Sequence, residues 1–250
     1  MRIIARLDVK NDWVIKGIQL EGLRKVGDPI ELAQKYYESG AHEIIFMDAV
    51  ASLYDRNNLF HIIEKACENV FVPICIGGGL RSIDDVSKAL AAGADKVAIN
   101  TGAVQNLELI TEIANRYGSQ CIIGSIEAKR QTAGNWDAYT DNGREPTGLD
   151  VLDWVKQLEN AGVGEILLTS VDQEGTKRGF ELDLLQEVQA ITTRPVIISG
   201  GYGVPEHLES LLKTIRPSAA AFASVFHYNM AKPSDLDTIV SAPISKELAA

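Results

Sequence analysis

Short runs of aliphatic and β-branched residues alternate along this chain with longer segments whose apolar residues recur at helical spacing. Runs at 3–8, 43–48, 73–77, 96–100, 120–126, 165–170, 195–199 and 219–224 read as strands. IIFMD, VPICIG, KVAIN, PVIIS and AAAFAS are apolar on both faces, which suits parallel strands covered on both sides. The intervening segments carry helix punctuation. Asp28 and Pro29 supply an N-cap and a first helical residue, and Ser39-Gly40 closes that helix. Ser82 opens IDDVSKALAAG, and Gly93 ends it. Val204-Pro205-Glu206 opens another. Eight such βα units predict one (β/α)8 TIM barrel domain over residues 1–250.

The pattern repeats at half the chain length. Glu43 of HEIIFMD and Glu165 of GEILLTS stand 122 residues apart, as do Gly79, which ends ICIGGG, and Gly201, which ends VIISGG. Asp8 closes IIARLD and Glu127 closes CIIGSIE, 119 residues later. The offset predicts two repeated half-barrels, about 1–119 and 120–250. Segments 9–27 and 128–148 follow equivalent strands and read as long loops on the face where barrels hold their chemistry. Within the second, 132–148 suits a small β-ribbon turning at Asn142-Gly143, with Trp136 and Tyr139 as packing or substrate-contact residues.

Composition narrows the function. The net charge of −10 disfavours nucleic-acid binding, while leaving room for a local basic pocket. No apolar run approaches the roughly 20 residues of a membrane span. MRIIARLDVK enters a strand directly, without a signal-peptide core, so a cytoplasmic protein is expected. Cys67, Cys75 and Cys121 lack paired spacing and read as core residues. His42, His61, His207 and His227 lack metal-ligand spacing and read as surface or cap residues; no metal and no cofactor are expected.

The candidate chemistry lies at strand ends. Gly200, Gly201, Ala223 and Ser224 follow the seventh and eighth strands, where barrels commonly hold phosphate on backbone amides. Gly78, Gly79, Asn100 and Thr101 form the equivalent site in the first half. Two such sites point to a substrate phosphorylated at both ends. Asp8, Asp48, Glu127 and Asp172 end the first, second, fifth and sixth strands. Asp8 and Glu127 belong to opposite strands and suit a divided acid–base role. At the other end Arg2, Glu43, Lys96 and Glu165 begin four strands, either as a solvated ring of ion pairs or as a gated opening.

Several stretches together resemble the HisF family, the cyclase subunit of imidazole glycerol phosphate synthase. They include LDVK (7–10), VIKG (14–17), GADKVAINTGAV (93–104), GEILLTSVDQEGTKRGF (164–180), SGGYG (199–203) and ASVFH (223–227). The resemblance implies a heterodimer with a HisH-like glutaminase docked at the bottom of the barrel, with Asp95 at that interface. Ammonia would pass a gate made of Arg2, Glu43, Lys96 and Glu165. At the top it would meet a bis-phosphorylated aminoimidazole carboxamide ribonucleotide, with Asp8 as general base and Glu127 as general acid. Lys16 on the 9–27 segment would close over the substrate, and Thr169, Asp172 and Gly175 would help to hold it. The chain departs from the family in three places. Glu127 replaces an aspartate, KGIQL (16–20) puts Leu20 where an aromatic is usual, and Ala5-Arg6 stands for Pro-Cys. These departures leave a second expectation open, a paralogue that passes ammonia to a sugar amidotransferase in surface-polysaccharide synthesis.

Overall fold

Eight parallel strands close on one another in a computed structural model that describes residues 1–51, 59–132 and 134–242. In order around the barrel they are β1 (Arg2–Lys10), β4 (Glu43–Asp48), β5 (Ile74–Gly77), β6 (Lys96–Ile99), β7 (Ile122–Arg130), β10 (Glu165–Ser170), β11 (Val196–Ser199) and β12 (Ala219–Phe222). Pairing of β7 with β10 and of β12 with β1 completes the ring. The (β/α)8 barrel expected from the alternating pattern is the observed fold. Among the described residues no helix is long and apolar enough to cross a membrane.

Helix ends follow the side-chain chemistry. Asp28 accepts from the amides of Ile30 and Glu31 to open α1 (Pro29–Glu38), and Ser82 forms a capping box with Asp85 on α3 (Ile83–Ala91). The remaining helices are α2 (Phe60–Ala66), α4 (Thr101–Gln105), α5 (Glu108–Tyr117), α6 (Val151–Ala161), α7 (Leu182–Ile191), α8 (Pro205–Thr214), α9 (Ser224–His227) and α10 (Pro233–Ser241). Asp150 opens α6 by accepting from Leu152 and Asp153, as Asp28 does in the other half.

Two segments read as loops hold ribbons: over 9–27 this corrects the sequence reading, whereas the ribbon within 132–148, turning at Asn142-Gly143, is the one expected. β1 and β7 run past the barrel rim, and each folds back into an antiparallel pair. The first pair is β2 (Trp13–Ile18) with β3 (Glu21–Gly27); the second is β8 (Trp136–Thr140) with β9 (Glu145–Asp150). Ala133 lies outside the described residues. Asp8 and Glu127 therefore sit inside nine-residue strands rather than at their ends. A strand read from its apolar run stops where polar residues begin, but backbone pairing with the ribbon continues it.

Side chains alternate between two buried layers. One packs the outside of the barrel against the helices, with Phe46, Ile76, Leu168 and Phe222 among its members. The other fills the lumen with Ile4, Ile45, Met47, Cys75, Ala98, Ile123, Leu167, Ile197, Ala219 and Ala221. Residues two positions along each strand from this apolar plug point the same way. Charge therefore brackets the plug at both ends, with Arg2 and Arg6 on either side of Ile4.

Candidate active site

Each end of the lumen carries its own charge arrangement. At the base, Arg2 donates to Glu43 at 2.7 Å and also binds Glu165. Lys96 reaches Glu43 at 3.1 Å and Glu165 at 2.8 Å. Each cation holds both acids, so the four residues form a closed ring. Burial pushes Glu43 upward in pKa despite Lys96 and Arg2. Asp95, exposed beside Lys96, accepts the Ile74 amide at 2.8 Å.

At the top, β1 alternation turns Arg6 and Asp8 into the mouth. Arg6 Nε donates to Asp8 at 2.9 Å, and Lys16 lies 3.7 Å from the same carboxylate. Lys16 also pairs with Glu174. Burial opposes the charge on Asp8, but Arg6 and Lys16 outweigh it and hold the carboxyl below its ordinary value. Glu127 differs. It accepts a hydrogen bond from the Gly143 amide at 2.8 Å. Burial raises its pKa to about 7, only partly offset by that amide and by Arg6. The two acids across one mouth are thus shifted in opposite directions, Asp8 downward and Glu127 upward.

The two glycine clusters each line a cavity. Gly78, Gly79, Asn100 and Thr101 line one cavity together with Arg6, Arg81 and Glu127. Gly200, Gly201, Ala223 and Ser224 line a second with Glu174 and Gly175. At Gly78, φ is 89° and a β-carbon would collide with the Asp48 carbonyl; at Gly201, φ is 98° and it would collide with that of Gly179. Asn100 and Ala223 share an unusual backbone, with φ −117°, ψ −85° and φ −128°, ψ −74°. That shared conformation opens short helices α4 and α9 toward the two cavities.

Other expected residues have tasks in the fold. Thr169 is buried and accepts from Arg6 at 2.9 Å, so it supports Arg6 rather than facing the cavity alone. Asp172 accepts the Arg130 amide at 2.7 Å, and its carbonyl accepts from Gln19, which ties the root of the second ribbon to the turn of the first. Asp48 accepts the amides of Val50 and Ala51. Lys16 is 3% exposed, locked between Asp8 and Glu174. Leu20 is buried against the second ribbon's turn, within reach of Gly143. Trp136 packs in the core, stacked on Arg130. Tyr139 offers its carbonyl to Asn100 at 3.0 Å.

Sequence reasoning missed three features. Arg6 appears there only as a departure, yet it is buried at the centre of the charge network. Glu174 was not singled out; its position after β10, within reach of Lys16, is a tertiary fact. His227, read as surface or cap, is buried: Nδ1 meets the Tyr36 hydroxyl at 2.7 Å, and burial with nearby Lys16 lowers its pKa to about 3. His207 accepts the Gly203 amide just ahead of α8, whereas His42 accepts the Ile3 amide on β1. Cys75 and Cys121 are buried as expected, whereas Cys67 is half-buried.

The family described as "Histidine biosynthesis protein" matches residues 2–232. The chain is 58% identical over 203 residues to imidazole glycerol phosphate synthase subunit HisF of Legionella pneumophila, covering 81% of this chain and 96% of that protein. It is 43% identical over 234 residues to the same subunit of Streptococcus mutans, covering 94% and 93%.

Proposed function

We propose a function from one plain fact: this chain belongs to the HisF family of histidine biosynthesis proteins. It acts as the cyclase subunit of an imidazole glycerol phosphate synthase, taking ammonia from a glutaminase subunit. It converts a bis-phosphorylated aminoimidazole carboxamide ribonucleotide to imidazole glycerol phosphate and the aminoimidazole carboxamide ribotide. The observation that carries this reading is the arrangement of two related glycine cavities on one face, with Asp8 and Glu127 in the mouth between the ribbons that flank them.

In this scheme each cavity takes one phosphate on backbone amides. Asp8 stays ionised and withdraws a proton from the attacking nitrogen. Glu127, protonated up to about pH 7, donates to the leaving group. The ring of Arg2, Glu43, Lys96 and Glu165 is the entry for ammonia, and the glutaminase docks below it against Asp95. Lys16, Gly175 and Ser224 share a groove beside the first ribbon, where the ribbon covers one end of the substrate.

A second reading draws on Arg6 and Glu127. Arg6 ties down Asp8, and Glu127 extends one methylene further than the family aspartate. A shift on the order of 1 Å in a preorganised site costs roughly a hundredfold. A barrel relieved of cyclisation would tolerate both changes while still passing ammonia to a sugar amidotransferase.

One assay separates them. Purified protein is given the bis-phosphorylated ribonucleotide and concentrated ammonium salt at alkaline pH, which removes the need for a glutaminase. Turnover that disappears in Asp8→Asn supports the cyclase. A folded protein without turnover rejects it in favour of the amidation reading.

A further inference from the structure

One side chain crosses the lumen. Arg6 rises from β1, yet its Nη1 donates to Ser199 on β11 at 3.3 Å and to Thr169 on β10 at 2.9 Å. Those strands lie two and three places round the barrel from β1. On the remaining side Arg6 lines the cavity of Gly78, Asn100 and Glu127. Its guanidinium is thus anchored on the far wall and touches the near-side cavity. It is 3% exposed.

The layer directly below is apolar: Ile4, Leu167 and Ile197 each precede Arg6, Thr169 and Ser199 by two residues on their strands. Simple filling of this space favours an aliphatic side chain, because a buried charge carries a desolvation penalty of several kcal/mol. Here the charge is kept, and Asp8 neutralises it. The guanidinium therefore lies as a bar across the lumen, directly above the apolar layer. Hydroxyls on the far wall hold one end of the guanidinium, and the Asp8 carboxylate holds the other.

We propose that Arg6 is an inner closure of the barrel's axial passage, in series with the four-residue ring at the base. A small neutral nucleophile that clears the ring reaches the upper cavity only when the guanidinium leaves Thr169 and Ser199. The consequence for catalysis rests on the reading that ammonia travels through the barrel; the closure itself does not.

Cys75 reports on the closure. It points into the lumen between the two charge layers and has no exposure. Methyl methanethiosulfonate is small and uncharged; the Cys75 thiolate displaces methanesulfinate from it and gains a methylthio group as a mixed disulfide. Labelling is followed by peptide-resolved mass spectrometry, so that Cys67 and Cys121 are read separately. Arg6→Ala is expected to label Cys75 about tenfold faster than the unmodified chain. The double variant Thr169→Val, Ser199→Ala, which keeps volume but removes the far anchors, is expected to accelerate it several-fold. In both, Cys121 in the outer layer keeps its rate. Equal Cys75 rates in folded variants overturn the proposal, and so does a joint rise at Cys75 and Cys121, which marks general loosening. If Arg6→Ala does not fold, the double variant decides. The experiment uses no substrate and no glutaminase, so its failure leaves the cyclase reading standing, and an inactive cyclase leaves the closure standing.

Discussion

The two ends of the lumen hold similar residues in opposite conditions. At the base, two cations and two acids close a ring in which every member has two partners. At the top, Arg6, Lys16, Asp8 and Glu174 are linked, but Glu127 stands outside the ion pairs and is held by a backbone amide. A ring satisfied on all sides holds its charges fixed. A cluster with one acid left over has a group whose proton responds to pH and to substrate. Charge count does not distinguish the two ends; pairing does.

The strongest test of the contrast is Asp8→Asn. It removes the acid shared by Arg6 and Lys16, and cyclase turnover is expected to fall about 10²- to 10⁴-fold in a steady-state assay. Retained turnover breaks the catalytic half of the comparison. Next comes Glu43→Ala. Glu43 is 1% exposed and serves both cations of the ring, so its loss is expected to cost about 3–5 kcal/mol in chemical denaturation. A near-neutral result means that the ring is solvated and that its closure is energetically idle.

The pH dependence sharpens the difference further. Glu127 releases its proton near 4.5 when unfolded and at about 7 when folded. Between those values the folded chain binds the extra proton, so stability contributed by this group falls as pH rises through the window. The expected loss is about 3 kcal/mol. Denaturation midpoints of the wild type and Glu127→Gln between pH 5 and 7.5 read it directly, and an unchanged slope in the variant removes Glu127 from the account. Asp8 works in the other direction: its depressed carboxyl stabilises the fold above the ordinary aspartate range, and that contribution is lost on acidification.

The smallest effect compares the two halves. Asp28→Ala and Asp150→Ala each delete an equivalent N-cap and are expected to cost about 1 kcal/mol apiece. Thermal melts that differ widely between the two indicate that the halves, though alike in layout, do not share the load evenly.

Much of the barrel was legible in the chain. Asp28, Ser82 and Pro205 mark helix starts through local hydrogen bonding and ring geometry, which act over three or four residues. The glycine cavities were legible too, because both members of each recur at half-chain spacing: Gly78 with Gly200, and Thr101 with Ser224. The first ribbon was not. WVIKGI and EGLRKVG pair with each other above the barrel, and neither segment is apolar enough to announce a strand alone.

The sequence by itself determined the alternation of strands and helices, the half-chain repeat and the residues that cap the helices. These depend on local backbone preference and on which faces must be buried. Only the tertiary structure decided what the charges do. Arg6 meets Thr169 and Ser199 across 163 and 193 residues of chain, and Lys16 meets Glu174 across 158. Closing the barrel creates these pairs in a water-poor interior, and there proximity sets whether an acid keeps its proton. That is why Asp8 and Glu127, two carboxylates alike on paper, are shifted in opposite directions.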